Sequence, residues 1–295
     1  MNKTCLFAYP DRIIPSPQVT PVLSGGAWSA SFPLANLQDS SDSRMSSLAR
    51  STNALAASTL INIDFGVERD IRVIQIARHN LSLDATVRLT FWSDAGRTIL
   101  IHDTGQLPAW LPFYPTGSLP WGHPSLWDGK IAEEDRVGYQ FDFIRALSES
   151  VIARYARVEI TDTTNSAGYV ELSRCILAPA WEPPVDLTYG NTVGWQTDAN
   201  IGRSLGGTRY VDEKSKWRVA QCRIEHLTPD IASACVMEMQ RRLGLKGELV
   251  FIYDPTADSQ AEWQRSFLCT MEELSPIENP YFNANTASFK LVEVL

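Results

Sequence analysis

No two of the five cysteines form a CxxC pair, and an odd number (Cys5, Cys175, Cys222, Cys235, Cys269) cannot all be joined in disulfides within one chain. That spacing excludes a zinc knuckle and a disulfide framework. The thiols read as small apolar residues of a chain folded in a reducing cytosol. Histidine is also sparse. His79, His102, His123 and His226 form neither an HxH nor an HxxxH pair, so a helical zinc motif is absent. No GxSxG elbow surrounds a serine. The pairs Gly25–Gly26 and Gly206–Gly207 lack the spacing of a phosphate cradle and read as turns. Glu133–Glu134 and Glu272–Glu273 are adjacent carboxylates. Neighbours on a strand point to opposite faces, so neither pair makes a general acid/base couple across a cleft. No apolar run approaches the length of a membrane span, and Pro10, Asp11 and Arg12 break the N-terminal stretch before it reaches the core of a signal peptide. A net charge of −8 gives no basic surface for a nonspecific grip on nucleic acid. These absences predict a protein that is not an enzyme, holds no cofactor or metal, does not bind nucleic acid and does not insert in a membrane.

What is present is material for a core. Hydrophobic residues make up 44% of the 295 and charged residues 20%, enough for two ordinary domains or one large one. Pro10, Pro15, Pro17 and Pro21 make residues 1–24 an extended N-terminal arm. Such an arm cannot be stable alone, and we expect it to dock on the second domain or on a neighbouring subunit. A polar stretch, Ser31 to Ser51, then leads into TLINIDFG (Thr59 to Gly66) and, after a short turn, DIRVIQIARHNL (Asp70 to Leu81). Apolar and polar residues alternate, β-branched residues are dense, and Gly66, Asp70, Ser82 and Asp84 punctuate the runs. This is the pattern of short antiparallel strands with one wet face. YARVEITDT (Tyr155 to Thr163) and YVELSRCILA (Tyr169 to Ala178), separated by Asn165 and Gly168, read as a hairpin or its near equivalent. Residues 25–184 are therefore expected to form a β-sandwich, ending at the stiff Pro183–Pro184 linker.

Residues 185–295 carry a second pattern. KWRVAQCRIEHL (Lys216 to Leu227) reads as a strand with Trp217, Val219 and Cys222 among its apolar positions. LTPDIASACVMEMQRRLGLKG (Leu227 to Gly247) reads as an amphipathic helix. Thr228 stands at its cap, Pro229 at its first position, Arg241 and Arg242 in its last turn, and Gly244 closes it. Ile231, Cys235 and Met239 recur every fourth residue and predict the packed face. GELVFIYDP, RSFLCTME and ASFKLVEV read as further strands, making this half α+β or a barrel with one helix.

Residues 105–148 depart from both patterns. Trp110, Phe113, Tyr114, Trp121 and Trp127 alternate with Pro108, Pro112, Pro115, Pro120 and Pro124 in one long irregular insertion. Long ordered loops often carry function. Sugars are held by stacking their C–H faces on aromatic rings while polar groups fix their hydroxyls. Trp110, Tyr114, Trp121 and Trp127 supply the rings, and Asp128 and His123 the polar groups, so a carbohydrate-binding site is one reading. A satellite core under the loop, or a subunit interface, is the other.

FPLANLQD, SRMSSLARST, LINIDFG, RVIQIARHNLS, ATVRLTFWSD and the closing RYARVEITDTTNSAGYVELSRCILAPAWEP together resemble the galactose-binding, discoidin-like jelly-roll domains of tailed-phage tail proteins. The remainder resembles the tail-tube-like domain of distal tail and baseplate hub proteins. The resemblance implies a mainly β chain: an N-terminal jelly-roll β-sandwich and a C-terminal tail-tube-like domain with one amphipathic helix. It further implies a structural component of a phage tail tip or baseplate, assembled with itself in a ring (a hexamer, with a trimer as the lesser choice) that joins the tail tube to tip or hub proteins. Such a protein is made in the host cytoplasm and resides in the virion. The alternative it carries is an adhesion module that binds a host-surface glycan.

Overall fold

The computed structural model describes residues 4–39, 47–114, 117–131, 142–257 and 259–295. Glu133–Glu134 and Pro115 lie outside them.

The chain is mainly β. Its strands are β1 (Leu6–Ala8), β2 (Val22–Ser24), β3 (Ala49–Arg50), β4 (Ile61–Ala77), β5 (Thr86–Trp92), β6 (Leu100–Asp103), β7 (Leu107–Pro108), β8 (Phe143–Thr161), β9 (Glu171–Leu172), β10 (Arg174–Ala178), β11 (Ala180–Trp181), β12 (Thr192–Thr197), β13 (Asn200–Arg203), β14 (Arg209–Asp212), β15 (Lys216–Leu227), β16 (Glu248–Ile252), β17 (Phe267–Met271), β18 (Glu278–Tyr281) and β19 (Ala284–Glu293). Two large sheets organise them. The first runs β10-β4-β8-β5-β6, with β2 beside β4 and β7 beside β5, and the second runs β11-β1-β16-β17-β19-β15-β12.

The two runs predicted over 59–66 and 70–81 are one strand of 17 residues, β4. Its pairing with the 19-residue β8 shifts register between Asp64 and Arg69 and again between Ile71 and Val73. Such bulges keep a strand continuous while bending it, which a turn signal in sequence cannot distinguish from a chain reversal. They also switch parity. Ile61, Ile63, Phe65 and Ile71 enter the sandwich core, and so do Ile74 and Ile76 beyond the second shift. Val73 and Ala77 then face the other way, into a cluster shared with the second sheet. The hairpin expected between Tyr155 and Ala178 is absent. β10 pairs with β4 over Val73–Ala77, on the edge opposite β8. With a partner on one edge and packing on both faces, β10 is buried at every position, which removes the alternation a hairpin argument needs.

The N-terminal arm is divided between the two units. β2 pairs with β4, whereas β1 lies inside the second sheet between β11 and β16. Of the two docking sites expected for the arm, the chain uses its own second sheet. The short strand β11, placed by sequence within the sandwich segment, also belongs to that sheet. Cys5 and Phe7 point to one face, and Leu6 and Ala8 to the other.

The second sheet is covered on both sides. Leu6, Val250, Ile252, Leu268 and Val294 meet Val73, Ile144, Ile176 and Ala178 of the sandwich. On the far face the helical segment 229–243 packs Ala232, Val236 and Met239 over Phe7, Phe251, Phe267 and Phe289. Pro229–Ile231 and Glu238–Leu243 are α-helical, but Ala232–Met237 is a π-helical turn. Its wider winding rotates the buried face, so Ala232, Val236 and Met239 are buried while Ile231 and Cys235 are only half-buried. Thr228 occupies the cap position without a side-chain hydrogen bond, and Gly244 ends the helix at φ +56°. On β15 the buried parity is Arg218, Ala220, Cys222 and Ile224, so Trp217 and Val219 lie on the face opposite Cys222.

Candidate functional site

The insertion is built outward from a buried anchor. Trp110 is 6% exposed, packs within the sandwich core and donates its indole N–H to the Leu81 carbonyl at 3.2 Å. The edge of the His79 ring meets it at 5.7 Å. Trp110 is therefore not part of any surface platform, correcting its assignment to a sugar site. A buried indole with its N–H satisfied is a core residue that tethers the loop.

Beyond the anchor the chain closes on itself. The amides of Phe113 and Tyr114 both donate to the Gly129 carbonyl, at 2.8 and 3.1 Å, and the Gly129 amide donates to Ser125 at 2.9 Å. Gly129 sits at φ +62°, and a Cβ there would lie 2.8 Å from the Tyr114 carbonyl oxygen. Only glycine permits both the left-handed backbone and that approach. His123 Nδ1 accepts from the Ser125 amide at 3.1 Å and caps the short helical turn Pro124–Leu126. Asp128 Oδ1 accepts from the Lys130 amide at 3.1 Å, and the Lys130 ammonium pairs with Asp84 of the sandwich body. These bonds hold residues on either side of 121–127 without any regular strand.

The loop presents two large rings to water. Trp121 is 87% exposed and Trp127 83% exposed, yet their ring centroids are 5.9 Å apart at 75° to one another. Tyr114 lies edge-on to His123 at 6.1 Å, and Asp128 is exposed next to Trp127 in the chain. Of the six residues singled out in sequence, Trp121, Trp127 and Asp128 are exposed on this loop, Tyr114 and His123 are half-buried in it, and Trp110 lies beneath it. Two mutually supporting indoles left in solvent form an open corner with a π face on each wall. Folding gains little from such rings, so their exposure is the informative observation. Asp128 and His123, both bonded to amides of the same loop, are the polar side chains beside these rings in the chain. Gly129 and Lys130 were not singled out in sequence, and Asp84 only as a turn residue. The Asp128–Gly129 dipeptide is the signal that marks the loop closure.

Among the described residues, no group of three or more His, Cys, Asp and Glu side chains is arranged to hold a metal ion. No helix among the described residues is long and apolar enough to cross a membrane.

No family model and no curated protein matches the chain. Solved structures do, at low identity. SpGH29 is 17% identical over 58% of this chain, with a TM-score of 0.35, and the chain spans 28% of its length. CBM32-1 from a family 31 glycoside hydrolase from Clostridium perfringens is 14% identical over 58% of this chain and 99% of that chain, with a TM-score of 0.33. The lectin binding domain of lectinolysin, a His 62 mutant in complex with Lewis b, is 11% identical over 58% of this chain and 98% of that chain, with a TM-score of 0.35.

Proposed function

We propose that this protein binds carbohydrate through the Trp121–Trp127 corner of the sandwich loop, as a non-catalytic module that attaches its assembly to a glycan-bearing surface. One observation carries the reading: two tryptophan rings more than four-fifths exposed and 5.9 Å apart on a loop fastened to a rigid sandwich. Covering one indole face removes roughly 100 Å² of apolar surface, about 2.5 kcal/mol before ordering costs. Loss of one ring therefore weakens binding about tenfold or more once the ordering cost is subtracted. The test is glycan-array screening followed by calorimetry on Trp121→Ala, Trp127→Ala and Trp110→Ala. The two surface variants should keep wild-type stability to within about 0.5 kcal/mol and lose the glycan. Trp110→Ala should lose about 3–5 kcal/mol of stability. Unchanged glycan binding in the double surface variant, or no glycan bound by the wild type, refutes the proposal.

A second reading is favoured by a different surface. β12 is the outer strand of the second sheet, and β13 and β14 form a separate two-stranded sheet among the described residues. Trp195, Ile201, Leu205, Tyr210 and Val211 are all exposed there. Sheet edges carrying apolar side chains invite pairing with further copies. Under this reading the chain is a structural ring subunit, a hexamer in preference to a trimer, within a phage tail tip, where it contacts tube and hub proteins. Rings seen by electron microscopy and dispersed by Leu205→Glu with Tyr210→Glu would support it. A monomer at every concentration would remove it. The two readings are compatible, because the loop and the hairpin are separate surfaces.

A further inference from the structure

A cavity of about 660 Å³ lies where the N-terminal arm, the sandwich and the second sheet meet. Small-molecule sites occupy roughly 300–1,000 Å³ and are mostly apolar with a few fixed polar groups. This one fits that description. Ile14, Val19, Ile176, Leu243 and Val250 are among its apolar walls, and Arg12 and Arg69 are among its charged ones.

The two arginines are poorly matched by what surrounds them. The Nε of each is buried and has no hydrogen-bond partner among the described residues. The acids on the same wall are already engaged. Asp11 Oδ1 accepts the amides of Ile13 and Leu177 at 3.0 and 3.2 Å. Glu248 stands 3.7 Å from the guanidinium of Arg174. Burial first, and then the like charge of Arg69, push the Arg12 guanidinium below its ordinary pKa, with Asp70 opposing. Two like-charged guanidinium groups on one cavity wall, each with an unpartnered Nε–H, lower their mutual repulsion by sharing an anion, and a planar carboxylate fits the guanidinium fork.

We propose that this junction cavity binds a small apolar carboxylate, with its chain or ring in the apolar pocket and its carboxylate held between Arg12 and Arg69. The site is separate from the tryptophan corner. Because arm, sandwich and sheet each supply a wall, occupancy ties the arm to both units.

Titration calorimetry on the full chain tests this with octanoate and 2-naphthoate as probes, which separate a chain-shaped from a ring-shaped ligand, and with octanol as the uncharged control. At least one acid should bind saturably at one per chain, at least tenfold more tightly than octanol. The double variant R12Q/R69Q should weaken it at least tenfold, while W121A/W127A leaves it unchanged. Val19→Trp, which fills the cavity without touching either charge, should abolish it and serves if the arginine variant fails to fold. The proposal is overturned if neither acid binds the wild type, or if R12Q/R69Q or Val19→Trp binds as the wild type does.

Discussion

Asp142 ties the two units together, and its ionisation should set the acid side of the stability profile. It stands directly before β8, accepts Gln75 Nε2 at 3.0 Å and the Arg78 amide at 3.3 Å, and lies 3.7 Å from Arg218 of the second sheet. Arg218 also pairs with Glu293, so one buried cation faces two carboxylates. Burial pushes the Asp142 carboxyl up from its ordinary 3.8 to about 6; Arg218 opposes the rise and Glu293 adds to it. The folded state thus binds the proton more tightly than the unfolded state. Stability is then highest below the unfolded value and falls as pH rises from about 4 to about 6, by about 3 kcal/mol at 1.36 kcal/mol per unit. Asp142→Asn has no proton to lose. Urea unfolding at a series of pH values, wild type against variant, isolates the effect. The stability of the variant minus that of the wild type should grow by about 3 kcal/mol between about pH 4 and pH 7. Asp11, pushed up to about 7 by burial, slopes both curves alike and cancels in the difference. A difference that changes by less than about 1 kcal/mol over that range refutes the reasoning.

Other perturbations probe the same architecture. Phe7 is fully buried, with its ring 5.4 Å from Phe251, 5.1 Å from Phe289 and 5.5 Å from Trp181. Phe7→Ala should therefore cost about 3–5 kcal/mol in denaturant unfolding, although it lies in the arm. Arg218→Met leaves Glu293 and Asp142 buried without their cation and should cost about 3–5 kcal/mol at neutral pH, less as the solution is acidified. Burial raises all five thiols, with Cys222 reaching about 12, but four of them are also closed off from solvent and Cys235 is not. Only the half-buried Cys235 should react promptly with a disulfide reagent in the native protein, and all five after denaturation.

Much of the local structure was legible in the sequence because it is fixed by near neighbours. The alternation in Ile61–Phe65, the proline at the first turn of the helix and the glycine at its end each report a local rule, and each element appears where that rule puts it. The two strand readings that failed did so for non-local reasons. β4 looked like two strands because a bulge and a turn share the same residues. β10 looked like half of a hairpin because its true partner lies about a hundred residues earlier in the chain. The helix was predicted with an α-helical stripe, and one π turn moved the stripe by a residue.

The tryptophan loop divides the same way. Its composition alone marked residues 105–148 as one aromatic, proline-rich irregular insertion, but Leu107–Pro108 is strand β7 and the last six residues of that range, from Phe143, belong to β8. Whether a given indole is buried or exposed is a different matter. Trp110 and Trp127 stand in similar sequence surroundings, yet one sits under the loop and the other outside it. Composition and periodicity therefore determined that this is a mainly β chain with a helix in its second half, because those depend on residues a few positions apart. The tertiary structure alone decided that the first strand belongs to the last sheet, that Arg12 and Arg69 share a cavity, and which tryptophans face water. Those facts depend on which distant segments are brought together, and no local pattern carries that information.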